Sequence, residues 1–599
     1  MRELGGSAEG GLRTGVAELP TAAIGAERLL RLRRIGTTNQ ENKSNPQKLP
    51  TEPHCEFPPR ADISASERRD PLTFFAQRAK ITDRCPRKRR VLLGSRPLSD
   101  RIDPRVQSLS YRYRPTAALT LVVLIGLAFV PRSAHAGGFT VTVFGSRRTG
   151  SMTNLGSADD LTAIFHNAAG LAQQKGRRVH LSSSLTFLSL DFELRGLDPQ
   201  RFVGINSPGC QQRGDCAWPL NSEGYYQRRI EPERTFGVLP FVGVSGDLAP
   251  LSPRLRDIVV GLAVYAPNVY GAFLPQDAPS SYHIIEGTFA VLATTLAVGW
   301  QAHPKLALGA SLSYHFMRIT VGQRLSLIDA LTPDGQTPTP IATAGQNLLG
   351  DLRLDYLGID HGLGWALSAL YRPTRWLSLG VAYNGATPAR FRGDLRFAAL
   401  GDLVKGNPDA LNAALSSFDM KLPTRLELEM PIPHALGIGV ALRPTHWLEV
   451  SVDYRLWFYT AFERQVLRPL YNADQPGEEP LSEADLSRDK HYQLSYEIGA
   501  GVLLRPFARY PQIELLSGIS YDKSPIPDST FTLDNPSLSL VQFGFGLRWH
   551  PQRGMRLAAT YMLFLGRRRE INDSQTSPPT NGRGGGTTHM PGVEFEYAF

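Results

Sequence analysis

From residue 178 onward the chain repeats one unit: a segment that alternates apolar with small or polar side chains, closed by a connection that is short and long by turns. Leu306 to Phe316, Trp376 to Tyr383, Leu448 to Phe458 and Val541 to Trp549 show the alternation. A period of two places one set of side chains on each face of a β-strand. The second face here carries Ser, Gly, Ala, Asp, Arg and Gln rather than Leu. Such strands leave a soluble sandwich without a core, but they suit a closed barrel with an apolar outside and a polar or small-residue lumen. Short connections have turn chemistry, as in His303-Pro304-Lys305, Arg372-Pro373-Thr374-Arg375, Arg443-Pro444-Thr445-His446, Arg509-Tyr510-Pro511 and Pro551-Gln552-Arg553-Gly554. Long ones run at about 195–234, 273–286, 327–350, 400–424, 470–490, 525–537 and 571–588.

These connections separate fourteen strands, from about 179–194 to 589–599, with 376–397, 425–443, 447–469 and 491–506 each read as one strand. The count is even, as single-chain bacterial barrels require. No stretch after residue 136 reaches about eighteen apolar residues, so helical spans are excluded and a closed barrel is the other spanning structure available. The predicted fold is therefore all-β: a fourteen-stranded antiparallel transmembrane β-barrel over 179–599, set in the lipid of the bacterial outer membrane. Tyr371, Trp376, Trp447, Trp457, Tyr459, Phe507, Tyr510 and Trp549 lie at strand ends and are read as the interfacial girdle. The chain closes on Val593-Glu594-Phe595-Glu596-Tyr597-Ala598-Phe599, a last strand whose final aromatic resembles the signal read by the barrel-assembly machinery. Phe599 thus predicts that machinery as a partner.

An export signal is expected over 111–136. Arg112 and Arg114 precede the apolar run Ala117 to Val130, and Ala134-His135-Ala136 follows it. That is the order of a secretory signal peptide with cleavage before Gly137. Residues 1–110 are rich in Arg, Pro and Ser without sustained periodicity, and are read as an over-extended gene start or a disordered leader. The net charge of +10 comes partly from this region and predicts no nucleic-acid partner. Cys210 and Cys216 are the cysteines of the exported part, and five intervening residues suit a small disulfide loop formed outside the cytoplasm. With no second pair and no nearby His, they do not make a metal site.

Between the cleavage site and the first strand, 137–178 is Gly/Ala-rich and weakly helical, with a short helix expected to start within Ser157-Ala158-Asp159-Asp160. Such a segment is too short for a domain and the right size for a plug in the lumen. Its small residues, Asp-rich step and Phe165-His166-Asn167-Ala168-Ala169-Gly170-Leu171 resemble the N-terminal hatch of the FadL/TodX family of outer-membrane transporters for long-chain fatty acids and other hydrophobic compounds. That family typically reads Asn-Pro-Ala where this chain has Asn167-Ala168-Ala169. Gly261-Leu262-Ala263-Val264-Tyr265-Ala266-Pro267, Leu379 to Tyr383 with Gly393-Asp394, and Tyr521-Asp522-Lys523-Ser524-Pro525 are similar to further family segments in family order.

The resemblance implies a monomer without cofactors that captures a hydrophobic ligand outside the cell, holds it in an apolar lumen pocket, and releases it through a lateral wall opening as the hatch moves. The ligand is expected to be a long-chain fatty acid or a similar hydrophobic small molecule. An aromatic-hydrocarbon channel of the same family, or a surface receptor or structural barrel without transport, are the alternatives. Phe139, Asn167, Ala168, Ala169 and Gly170 are the candidate hatch residues. Pro267 is the candidate for the lateral opening, because proline removes a ladder donor. Arg318 and Lys523 are candidate partners for a ligand carboxylate. Catalysis is not expected: His180, His315, His361 and His434 are scattered, and no nucleophile motif accompanies them.

Overall fold

The structure is a computed structural model that describes residues 142–233, 236–330, 350–401, 422–470, 487–507 and 509–599. The leader, the export signal and Phe139 lie outside the described residues. The strands are β1 (Arg177–Leu194), β2 (Phe236–Asp247), β3 (Ile258–Phe273), β4 (Glu286–His303), β5 (Leu306–Leu325) and β6 (Leu352–Tyr371). Then come β7 (Leu377–Asn384, resuming Arg390–Ala399), β8 (Arg425–Glu429, resuming Ala435–Leu442) and β9 (Leu448–Trp457, resuming Leu467–Leu470). β10 (Ser495–Leu504), β11 (Ile513–Asp522), β12 (Leu540–Trp549), β13 (Met555–Ile571) and β14 (Gly582–Ala598) complete the set. Each pairs antiparallel with the next, and β1 pairs with β14 from Arg178↔Ala598 to Leu194↔Gly582, which closes a fourteen-stranded barrel. Among the described residues no helix is long and apolar enough to cross a membrane.

The alternation faces as the sequence predicts. Along β6, Leu357, Ile359, Leu363, Trp365 and Leu367 are exposed at every second or fourth position, while Tyr356 and Leu370 on the other parity are buried. An outward apolar band is what a lipid environment requires. Tyr371, Trp376, Trp447, Phe507, Tyr510 and Trp549 are exposed at the short-turn end, as the girdle requires. Trp457 and Tyr459 do not belong to that girdle. Both are buried in the lumen cluster that includes Phe289, Phe391 and Phe462, because Trp457 shares the inward parity of Glu449, Asp453 and Arg455.

Four strands differ from the sequence reading. β14 begins at Gly582 rather than near 589: Gly582 to Thr588 is glycine-rich and lacks apolar alternation, yet pairs on both sides. β7 and β8 are not continuous. Their ladders stop over 385–389 and 430–434, which contain Pro388, Pro431 and Pro433, and a ring without an N–H cannot donate to a ladder. The inward parity changes across both breaks, from Ser378 and Ala382 to Phe391 and Leu395 on β7, and from Leu426 and Leu428 to Ala435 and Ala441 on β8. β9 likewise pauses after Trp457, and the 447–469 reading spans both its pieces.

Residues 142–176 lie inside the barrel as a hatch with two short helices, α1 (Gly145–Ser151) and α2 (Ala163–His166), and a 3₁₀ turn over Ala168–Gln173. α2 begins beyond the expected Ser157–Asp160 start, with Thr162 at its N-cap and no side-chain cap bond. Asp160 instead holds the turn that leads into the helix and reaches the wall. One carboxylate oxygen accepts the Thr162 N–H at 2.9 Å and the other faces the Arg548 guanidinium at 3.2 Å.

Candidate ligand path

The hatch touches the wall in two different ways. Toward β9–β14 charges join a close backbone contact, in which a Cβ at Gly501 of β10 or Gly518 of β11 would sit 1.9 or 2.3 Å from the Ser151 carbonyl oxygen. Arg147 donates to Asp159 and to Glu449 of β9, both at 2.7 Å, and Arg443 donates to the other Glu449 oxygen at 2.8 Å. Arg548 of β12 reaches Asp159 at 3.1 Å and the Ser146 hydroxyl at 2.7 Å. Arg148 pairs with Glu497 of β10, and Asp453 of β9 accepts the N–H groups of Asn154 at 2.6 Å and Leu155 at 2.9 Å. Arg556 of β13 joins Glu594 at 2.9 Å and Glu596 at 2.8 Å beside them. Buried charges are tolerated when each has such partners.

Toward β3–β8 the contact is steric. The sequence places glycine at inward positions there, and the hatch backbone rests on them. A Cβ at Gly380 would sit 1.9 Å from the Leu155 carbonyl oxygen, and one at Gly309 would sit 2.1 Å from the Ala169 nitrogen. Glycine is the residue that admits so close an approach. Asn167 donates to the Leu155 carbonyl at 2.9 Å and toward Ala369 of β6 at 3.4 Å, and the Ala169 N–H donates to the Ser368 hydroxyl at 3.0 Å. Gly170 packs on Ala158 within the hatch. Asn167, Ala168, Ala169 and Gly170 thus form the part of the hatch that lies against β4, β5 and β6.

Two cavities follow the barrel axis. At the long-loop end, a cavity of about 330 Å³ is walled by Leu325, Leu352, Leu354, Phe397, Leu426 and Leu428, and bordered by Arg488, Lys490 and Asp534. Lys490 is buried, 3.4 Å from the Thr532 hydroxyl and 3.9 Å from Asp534. Burial pulls its ammonium below the usual lysine range, against the attraction of Asp534. Deeper, above the hatch, a cavity of about 100 Å³ is lined by Ile164, Phe165, Tyr265, His315, Trp365 and Trp457 among others.

The wall beside the deeper cavity is interrupted at β3. β2 and β3 pair from Val259↔Asp247 up to Tyr265↔Phe241 and no further. On the other side Tyr265 pairs with Ala293 and Asn268 with Val291, so Ala266 and Pro267 stand opposite the single residue Leu292. That is a bulge, which bends the strand. Ala266 and Val269 turn inward against Val143 of the hatch, Met152 and Leu538. Pro267 lines the deeper cavity.

A family profile of outer membrane protein transport proteins, OMPP1/FadL/TodX, matches residues 127–599. The chain belongs to this family. Its place is the bacterial outer membrane, among transporters of hydrophobic compounds. An outer membrane protein of Neisseria meningitidis serogroup B is 19% identical over 458 residues, which span 75% of this chain and 90% of that protein. A Pseudomonas aeruginosa FadL homologue shares the fold at a TM-score of 0.62 and 15% identity, over 78% of this chain and all of that one. The Pseudomonas putida toluene transporter TodX aligns at a TM-score of 0.50 and 15% identity, over 77% of this chain and 99% of that one.

In this OMPP1/FadL/TodX protein the remaining predicted residues lie apart. Arg318 has the parity of Leu312 and Tyr314, which are exposed outside, whereas Met317 and Ile319 on either side point inward. Lys523 follows β11 on the parity of Tyr521, whose ring meets Tyr496 and, through it, the Tyr454 ring of the outer face. Neither lines either cavity. Arg455 of β9 lines the deeper cavity, and Arg488 and Lys490 border the loop-end one; the latter two escaped the sequence reading because they lie within a long loop without periodicity. Their signal was the basic pair Arg488-Asp489-Lys490 just before a strand. Cys210 and Cys216 are joined by a disulfide in the β1–β2 loop, with Cα atoms 4.9 Å apart, and line neither cavity.

Proposed function

We propose that this barrel takes up long-chain fatty acids or similar amphipathic hydrophobic molecules. The loop-end cavity captures the ligand, the deeper cavity passes it on, and the β2–β3 interruption at Pro267 releases it sideways as the hatch shifts. The observation that carries the reading is the loop-end cavity. It has leucine and phenylalanine walls, a buried ammonium at one border, and a volume of about 330 Å³, at the lower end of ordinary ligand sites. An acyl chain gains roughly 0.8 kcal/mol per CH₂ by leaving water for such walls, and a carboxylate fits Lys490 and Arg488. The deeper cavity, at about 100 Å³, is below that range, so passage needs the hatch or the wall to give way.

A second reading is uptake of aromatic hydrocarbons. The ring-rich lining of the deeper cavity by Phe165, Tyr265, Trp365 and Trp457 favours it, and toluene transport is stated for the P. putida relative. Uptake of labelled oleate and labelled toluene by cells lacking their own transporters, with and without the full chain, separates the two. Saturable oleate uptake is the expected result. Toluene uptake alone replaces the fatty-acid reading with the second, and uptake of neither overturns transport in favour of a receptor or structural barrel.

A further inference from the structure

The wall has a second interruption, four strands further round from the first. β6 pairs with β7 over Ala366↔Asn384 to Tyr371↔Leu379, and with the resumed β7 over Leu352↔Ala399 to Ile359↔Arg392. Residues 360–365 of β6 lie between these registers. They keep two bonds to β7: the Gly385 N–H to the Trp365 carbonyl at 2.9 Å, and the Arg390 N–H to the Asp360 carboxylate at 2.6 Å. On the far side, β7 and β8 stay joined across the same height: the Thr387 and Ile432 N–H groups donate to each other's carbonyls at 3.0 and 2.9 Å, and the Met430 N–H donates to the Ala389 carbonyl at 3.0 Å, so the opening is the β6–β7 seam.

Three features make this more than a local kink. The deeper cavity reaches both interruptions, touching Pro267 on one side and Gly364, Thr387 and Pro433 on the other. One of its lining residues, Trp365, is also 46% exposed on the outside, so the cavity runs into the thickness of the wall at that point. The outer rim is aromatic and apolar. Trp365 packs on Tyr383 at 5.6 Å, the Tyr383 hydroxyl meets His434 Nδ1 at 2.9 Å, and His434 stacks on Phe458 at 4.2 Å. Directly above the break the outward face becomes charged, with Arg392 2.6 Å from Glu427 and Arg390 3.2 Å from Glu429. The break therefore lies at the upper edge of the lipid-facing band, where Leu363 is 65% exposed.

We infer that the β6–β7 interruption is a second lateral exit, through which an apolar molecule held in the deeper cavity passes to the outer leaflet. The inference rests on the transport reading above. The open β6–β7 ladder lowers the cost of parting these two strands, because residues 360–365 have few bonds to β7 to lose. Thr387, buried on β7 and lining the deeper cavity beside the open seam, is the side chain the molecule must pass.

The test is photolabelling and uptake with the full chain in outer-membrane vesicles and cells. The probe is a radiolabelled fatty acid carrying a diazirine near its methyl end. The parent is expected to be labelled at both rims, around Pro267 and around Trp365 and His434. Thr387→Trp, which fills the second crossing, is expected to lose the Trp365 and His434 adducts, keep those near Pro267, and lower uptake without abolishing it. Pro388→Val with Pro433→Val, which restores two ladder donors, is expected to do the same. The inference is overturned if the Trp365 and His434 adducts are absent from the parent. It is equally overturned if they persist unchanged in both variants, since they then arise from the bilayer, or if both variants take up the probe at the parental rate. A parent chain that neither takes up the probe nor is labelled at any lumen residue instead overturns the transport reading itself.

Discussion

The guanidinium of Arg147 stands 2.7 Å from the carboxylate of Glu449, a bond between the hatch and the wall of the barrel made across 302 positions of sequence. Both side chains are almost wholly buried. The pair belongs to a chain of alternating charges that runs from Arg443 through Glu449, Arg147 and Asp159 to Arg548. The plug's backbone is thus seated on glycines around the wall, and on one side charge is added to that seat.

Removing one partner of a buried ion pair costs about 3–5 kcal/mol. Glu449 retains Arg443 and Asp159 retains Arg548, so Arg147→Ala is expected at the lower end, about 3 kcal/mol. The hatch should loosen before the barrel unfolds. Single-channel recordings in planar bilayers should then show larger and more frequent conductance than the parent. Parental conductance together with parental protease resistance of 142–176 would remove the ionic lock from the account.

Overfilling the opposite face should have a related effect by another route. Gly380→Val places carbon where the Leu155 carbonyl now lies, and overpacking of this kind costs about 1–3 kcal/mol. The heat-induced mobility shift on gels should occur at a lower temperature, while the strand content by circular dichroism stays unchanged. A variant that melts with the parent would show that the hatch backbone shifts freely.

At the loop-end cavity, Lys490→Gln removes the buried ammonium but keeps a polar side chain. A lost charge-assisted bond of about 1.5–3 kcal/mol corresponds to roughly a 10- to 100-fold weaker oleate affinity, with toluene binding unaffected. Titration of the purified protein with both ligands decides it. Equal loss for the two would point to a packing defect.

His283, in the β3–β4 loop at the border of the same cavity, is buried, and burial pushes its imidazole down to about 3. An unfolded histidine titrates near 6.5, so between these values the unfolded loop binds the proton and the folded one does not. Its stability contribution is complete above about pH 6.5 and falls by roughly 1.4 kcal/mol per unit as the pH drops toward 3. Amide hydrogen exchange over 279–285, corrected for intrinsic rates, should show protection lost on going from pH 7 to 4. His283→Gln should flatten that dependence, and a parent with pH-independent protection would contradict it.

The strands were legible because a lipid-facing barrel imposes a period of two on every span, and Leu357, Ile359, Leu363 and Trp365 obey it. The interruptions were less so. Pro267 was visible as a donor missing from a strand, but Pro388 and Pro433 lie where the alternation restarts on the opposite parity, and counting apolar residues across the break conceals the change. The beginning of β14 was hidden for a simpler reason: Gly584, Gly585 and Gly586 have no side chains to alternate. Charge was the least legible feature. Arg147-Arg148 and Asp159-Asp160 announce ionic partners, but which strands supply them depends on contacts some 290 to 400 residues away.

The pairing of β1 with β14 also ties the plug to the seam. The hatch runs directly into β1, and β1 is the strand on which the last one closes, so the ring cannot be completed without bringing the plug's own stem to the joint. Arg178 of β1 and Arg556 of β13 both reach Glu596 of β14, so an acid of the last strand is held from the two sides of that joint. Seam and stopper share one hem.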